Sequence, residues 1–171
     1  ILWENFVFRD WSHYYKMPTL LAKNIMYKQN DSYEQVVDAM RIIKEHFWPL
    51  AHIPKTEILK EKSWHYIIKQ KTIPWEKLTR KMLENNPKLL SKFKRLVIAN
   101  EIMWLKQWVF LDLLGSDIVT HPQTIHNLIT DWDNIYIFDF WLLEKHSKNM
   151  FFRYFSHFWT WFQLTFLKRF Y

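Results

Sequence analysis

Through residues 20–28, LLAKNIMYK, apolar and polar positions alternate loosely and run into Asn30-Asp31-Ser32. The pattern predicts a strand ending at a helix cap. Beyond the cap, Val36, Val37, Met40, Ile43 and Phe47 recur at helical spacing, and the helix must stop by Pro49. The short aromatic and β-branched run SWHYIIK, 63–69, predicts a second strand. Pro74 opens a basic region where Leu78, Met82 and Leu83 predict a short helix ending before Pro87. Another short helix is expected through Leu89, Leu90 and Phe93, and residues 104–114, WLKQWVFLDLL, suit strand or helix by pattern, with a strand favoured by chain order. Pro122 fits the first turn of a further helix with Ile125, Leu128 and Ile129 on one face, and Asp131-Trp132-Asp133-Asn134 breaks it. In NIYIFDF, Ile135 and Ile137 alternate against Tyr136, Phe138 and Phe140, the mark of a last strand.

These elements read β-α-β-β-α-β. The expected fold is therefore α+β, a ferredoxin-like sandwich with two helices on one side of an antiparallel sheet. Residues 1–19 would be an N-terminal extension and 20–140 the ferredoxin-like domain, carrying a long basic insertion at 71–100. Residues 141–171 would form a helical, aromatic C-terminal extension. A helix over 150–167 would carry Phe and Trp all around it, so it should pack on a neighbour rather than stand in water. Its uncharged stretch, 154–167, falls short of the roughly 20 apolar residues of a membrane span. The first residues show neither the basic start nor the apolar core of a signal peptide.

Charge sharpens this division. The formal net charge is +7. Residues 71–100 hold eight basic side chains against Glu76 and Glu84, or +6, and residues 141–171 hold five against Glu144, or +4. Everything else sums to −3, so the positive charge sits in the insertion and the extension. Cys is absent, which excludes disulfides and thiol catalysis, and a single Gly excludes glycine-rich phosphate loops. Lys outnumbers Arg 18 to 6, and Phe, Ile, Asn and Tyr are abundant, as in an AT-rich gene, yet Trp occurs 11 times. A genome that is AT-biased and reads UGA as Trp yields both features. Most mitochondria and some wall-less bacteria have such genomes, and a mitochondrially encoded protein is the expectation.

The run Pro122-Gln-Thr124-Ile125-His-Asn-Leu128-Ile129, followed by Ile135-Tyr-Ile137, resembles the second helix and last strand of small-subunit ribosomal protein ten, the S-ten family. Tyr27-Lys28, Asp31, Ala39 and Arg41-Ile42-Ile43 resemble its first strand and helix, and Tyr66 with Ile68 its second strand. The likeness covers residues 22–70 and 104–140. It departs at the hairpin tip, where about 30 residues, including KLLSKFKR, replace the family's Lys-Ser-Arg signature. The resemblance implies a structural constituent of the mitochondrial small ribosomal subunit head, not an enzyme, with no cofactor and no small-molecule substrate. It would place the protein in the matrix, on the mitochondrial ribosome. Its partners would be small-subunit rRNA and neighbouring ribosomal proteins, and a membrane is not expected among them.

Lys69, Lys71, Lys77, Arg80, Lys81, Lys88, Lys92, Lys94 and Arg95 are the candidate RNA-binding residues, since each cation that meets a phosphate releases counterions. Solvating an exposed helix pair is the plainer alternative. Trp64, Trp75 and Phe93 could stack on unpaired bases, with core packing as their plainer role. Phe158, Trp161, Phe162, Phe166 and Arg169 are the candidate protein interface, because aromatic and Arg side chains anchor such contacts. His121 and His126 lie five apart, not at the spacing that places two ligands on one helical face, so no metal site is expected. The competing function is an accessory subunit of a mitochondrial respiratory or ATP synthase complex, which the aromatic extension would suit.

Overall fold

The computed structural model describes residues 5–18, 32–60, 66–72, 76–114, 124–140, 142–144 and 150–170. The chain divides into two compact units, Ile1–Ile42 with Ile53–Pro74, and Ile43–His52 with Trp75–Tyr171.

The first unit is built on four antiparallel strands: β1 (Asn5–Arg9), β2 (His13–Pro18), β3 (Thr56–Lys60) and β4 (Tyr66–Lys71), in the order β1-β2-β4-β3. Tyr66, Ile68 and Gln70 of β4 are buried, while Ile67, Lys69 and Lys71 between them are half-buried or exposed. Along β4 one side is therefore dry and the other open, the alternation expected of a strand with one solvated face. Helix α1 (Ser32–Phe47) begins in this unit and ends in the other. Its buried stripe is Val36, Ala39, Ile43 and Phe47, at helical spacing, with Val37 turned outward. Lys60 ties β3 to the first turn of α1, pairing with Glu34 at 3.0 Å and lying 4.8 Å above the Tyr33 ring.

The second unit contains β5 (Glu76–Thr79), α2 (Arg80–Asn85), α3 (Pro87–Gln107) and β6 (Val109–Leu111). After these come β7 (Thr124–Thr130), β8 (Ile135–Ile137), β9 (Leu142–Glu144), α4 (Met150–Leu167) and a 3-10 turn, Lys168–Phe170. Its strands make the antiparallel sheets β5-β7-β8 and β6-β9. The helix starts are locally encoded. Thr79 Oγ1 accepts from the Met82 N–H at 3.3 Å, Asn86 Oδ1 accepts from the Leu89 N–H at 3.1 Å, and Pro87 opens α3. The α3 helix ends at Trp108, held in the left-handed region at φ 64°, whose N–H donates to the Trp104 carbonyl at 3.0 Å. The fully buried Leu89, Phe93, Leu96, Val97 and Met103 of α3 form the central stripe of the core.

The α+β class stands; α1, α2 and the strand over Ile135–Ile137 fall where the sequence pattern predicts them, and the C-terminal extension is helical as expected. The ferredoxin-like order is not present among the described residues. Residues 124–130, expected as its second helix, are strand β7, and those are the residues that carried the likeness to ribosomal protein ten. The reason is burial. β7 lies between β5 and β8, and Ile125, Asn127, Leu128, Ile129 and Thr130 are all buried, so no period-two signal survives in the sequence. The β-branched Thr124, Ile125, Ile129 and Thr130 suit a strand.

The described residues of the expected basic insertion at 71–100 are part of the folded core. Residues 80–107 are α2 and α3, whose inner faces are core. The expected short second helix runs 21 residues, and the strand expected at 104–114 starts only at Val109. Strands β1, β2, β3, β5 and β9 were not anticipated. The strand expected at 20–28 lies outside the described residues, as do Trp64, Trp75 and His121.

Candidate nucleic-acid interface and aromatic helix face

The candidate RNA-binding cations fall in both units. Lys69 and Lys71 leave β4 on the open side of the first sheet, Lys69 with its Nζ 3.9 Å from Glu57 Oε2. The other seven belong to the second unit, where a cationic position every few residues lines the outside of β5, α2 and α3.

Structure sorts those seven by what already holds them. Arg80 pairs with Glu84 at 2.7 Å, one turn along α2. Lys88 lies 3.5 Å from Asp133, and Lys92 Nζ donates to the Asp133 carbonyl at 2.7 Å and to Asn134 Oδ1 at 3.0 Å. Lys94 is half-buried. Lys77, Lys81 and Arg95 are exposed, and among the described residues none of them makes an ion pair. Of the nine candidate RNA-binding cations, these three and Lys71 on the other unit are exposed and make no ion pair among the described residues. Phe93, a candidate for base stacking, is fully buried, so core packing is its role.

The acceptor of Lys88 and Lys92 is the turn between β7 and β8. Asp131 Oδ1 accepts from the N–H groups of Asp133 (3.0 Å) and Asn134 (2.7 Å), and its Oδ2 accepts from the Tyr136 hydroxyl at 2.7 Å. Burial pushes the Asp131 carboxyl upward, but the Tyr136 hydroxyl and the two N–H groups outweigh it and hold it below the ordinary carboxylate range. Burial and then the Asp131 carboxylate push the Tyr136 phenol upward. Trp132, at φ 77°, sits at the apex, and Asn86 Nδ2 donates to its carbonyl at 3.0 Å. Asp131 and Asp133, which a sequence reader could take for a pair of catalytic acids, are thus a turn former and a clasp for α3. His52 also serves structure: its N–H donates to the Ile135 carbonyl and its carbonyl accepts from the Ile137 N–H, both at 2.8 Å. Among the described residues no group of three His, Asp or Glu side chains could hold a metal ion.

Helix α4 is inverted. Ser156, Thr160 and Gln163 recur at i, i+4, i+7 and are buried, whereas Tyr154, Phe158 and Trp161 recur at the same spacing on the outside, 60–69% exposed. Gln163 explains the polar interior. Its Oε1 accepts from the N–H groups of Leu113 (2.9 Å) and Leu114 (3.2 Å), and its Nε2 donates to Asp112 Oδ1 at 2.8 Å. The Trp159 indole reaches the same carboxylate oxygen at 3.4 Å. Of the candidate interface residues, Phe158, Trp161 and Arg169 are exposed, while Phe162 and Phe166 are half-buried in a ladder of parallel rings with Phe158. No helix among the described residues is long and apolar enough to cross a membrane.

A third surface went unseen in the sequence. The β1–β2 hairpin sets Phe6, Phe8 and Trp11 in solvent, with Phe8 stacked on Tyr15 at 4.8 Å between ring centroids. The signal lies in the alternation of NFVFR and HYYKM about Asp10-Trp11-Ser12, within the expected N-terminal extension. No family model, curated protein or solved structure matches the chain.

Proposed function

We propose that the chain is a non-catalytic structural constituent of the mitochondrial small ribosomal subunit, binding rRNA through its free cations and neighbouring ribosomal proteins through α4. The supporting observation is the pairing of two surfaces on one folded unit. Lys77, Lys81 and Arg95 present uncompensated charge, while the outward face of α4 presents Tyr154, Phe158 and Trp161 without a single charged neighbour between residues 154 and 167. Exposed cations meet phosphates, and an exposed aromatic face of this kind is covered when assembled. Surface chemistry carries this reading. The likeness to ribosomal protein ten no longer does, because its second helix falls on β7.

The α4 face also favours one rival, an accessory subunit of a respiratory or ATP synthase complex, whose neighbours would cover the same rings. Sedimentation of a mitochondrial lysate in a magnesium-containing gradient separates the two. Co-migration with the small ribosomal subunit, lost on EDTA treatment, is the expected result. Co-purification with a detergent-solubilised inner-membrane complex instead overturns it.

A further inference from the structure

The open face of the first unit's sheet has a defined chemistry. Register sets Phe8 opposite Tyr15, Tyr15 opposite Lys69, and His13 opposite Lys71, so these side chains leave the sheet on one side. Their alternates Lys16, Ile68 and Gln70 are buried on the other. Phe8 and Tyr15 lie within 4° of parallel, and β1 is the edge strand of the described sheet, so the outer face of the Phe8 ring has no neighbouring strand.

The ring pair is fixed in advance by the hairpin turn. Asp10 Oδ1 accepts from the N–H groups of Ser12 and His13, each at 2.6 Å, and Asp10 Oδ2 accepts from the Tyr15 hydroxyl at 2.8 Å. His13 is held in turn, with Nδ1 2.7 Å from Ser12 Oγ, and the Thr72 N–H donates to the Ser12 carbonyl at 2.7 Å. Trp11, at the apex, is fully exposed at 101%. Aromatic groups already ordered lose little freedom on binding, which favours a ligand that adds a flat surface to the stack.

We propose that this face binds single-stranded RNA, with unpaired bases stacking on Phe8 and Trp11 and phosphates meeting Lys69 and Lys71. The inference deepens the ribosomal reading and rests on it for the source of the RNA. Stacking requires bases freed from pairing, so duplex RNA, whose bases are enclosed, does not fit. The cations sit where an RNA strand crossing from the sheet edge would carry its backbone, two strands or roughly 10 Å in from Phe8. Two carboxylates border this face and temper its charge, Glu57 at 3.9 Å from Lys69 and Asp10 at the Tyr15 hydroxyl.

The test is fluorescence anisotropy of the full chain with a labelled oligouridine of about a dozen nucleotides, titrated at several salt concentrations, with duplex RNA as competitor. Phe8→Val with Tyr15→Val keeps strand-forming residues and should weaken binding about tenfold or more, without changing the salt slope. Trp11→Ala, at a position that packs on nothing, should weaken it in the same sense and covers the case in which the double variant misfolds. Lys69→Ala with Lys71→Ala should lower the slope of log affinity against log salt by about 1.4. Unaltered affinity in both the ring variants and Trp11→Ala, or competition by duplex as strong as by single strand, overturns the proposal. If those variants bind normally while the chain still co-sediments with the small subunit, this face serves a protein partner and the ribosomal reading survives. If oligouridine binds here but the chain never co-sediments, the reading fails and the site stands.

Discussion

The inverted helix α4 makes a demanding prediction about what holds it. Gln163→Leu keeps roughly the same side-chain volume and puts an apolar group at a fully buried position, which naive hydrophobicity would favour. The hydrogen bonds say otherwise. The Leu113 N–H would lose its acceptor, and an orphaned buried donor costs about 1–3 kcal/mol. Asp112 would lose the Gln163 amide, a bond to a carboxylate worth about 1.5–3 kcal/mol. The Leu114 N–H keeps a fallback in Asp112 Oδ1 at 3.3 Å, so it adds little. The sum is a loss of about 2.5–6 kcal/mol. By contrast, Phe158→Ala and Trp161→Ala remove large outward rings and should each change the stability of the isolated chain by no more than about 0.5 kcal/mol. Guanidinium unfolding followed by far-UV circular dichroism, fitted with a common m value, compares the three. A loss below about 1 kcal/mol for Gln163→Leu, or ring truncations that cost as much, would show that α4 is held by its aromatics and that its outward face is misassigned.

Phe93→Ala should destabilise by about 3–5 kcal/mol in the same assay, while Arg95→Ala, two residues along and outward, should be near neutral; equal costs would contradict the placement of the α3 core stripe. Asp131 has a depressed folded-state pKa, so its contribution is present above the unfolded carboxylate value of about 3.9 and is lost as pH falls through the folded value. Asp131→Asn should therefore be less stable at neutral pH and show a flatter decline below about pH 4, and parallel curves for the two proteins would refute the assignment. Replacing Lys77, Lys81 and Arg95 together by Ala should reduce the salt slope of RNA binding by about 2, whereas Lys88→Ala, a residue engaged by Asp133, should change it far less; a reversed ranking would mean the ion pair opens on binding.

What the sequence by itself determined was local. Pro49 bounds α1, Thr79 and Asn86 cap α2 and α3, and Asp131 makes its turn, because each signal acts within a turn or two of chain. Net charge and its segregation were equally legible, being sums over residues. Only tertiary structure decided that residues 124–130 are a strand, since side chains on both of its faces are buried, which erases the alternation that would announce it. Only tertiary structure sorted Lys88 and Lys92, clasped to a turn some 40 residues away, from Lys77 and Arg95, which carry the same charge and face water. The inversion of α4 came from the same source: a helix written in Phe and Trp turns its Gln inward because Leu113 and Leu114 have buried N–H groups to satisfy, and no rule of periodicity contains that demand.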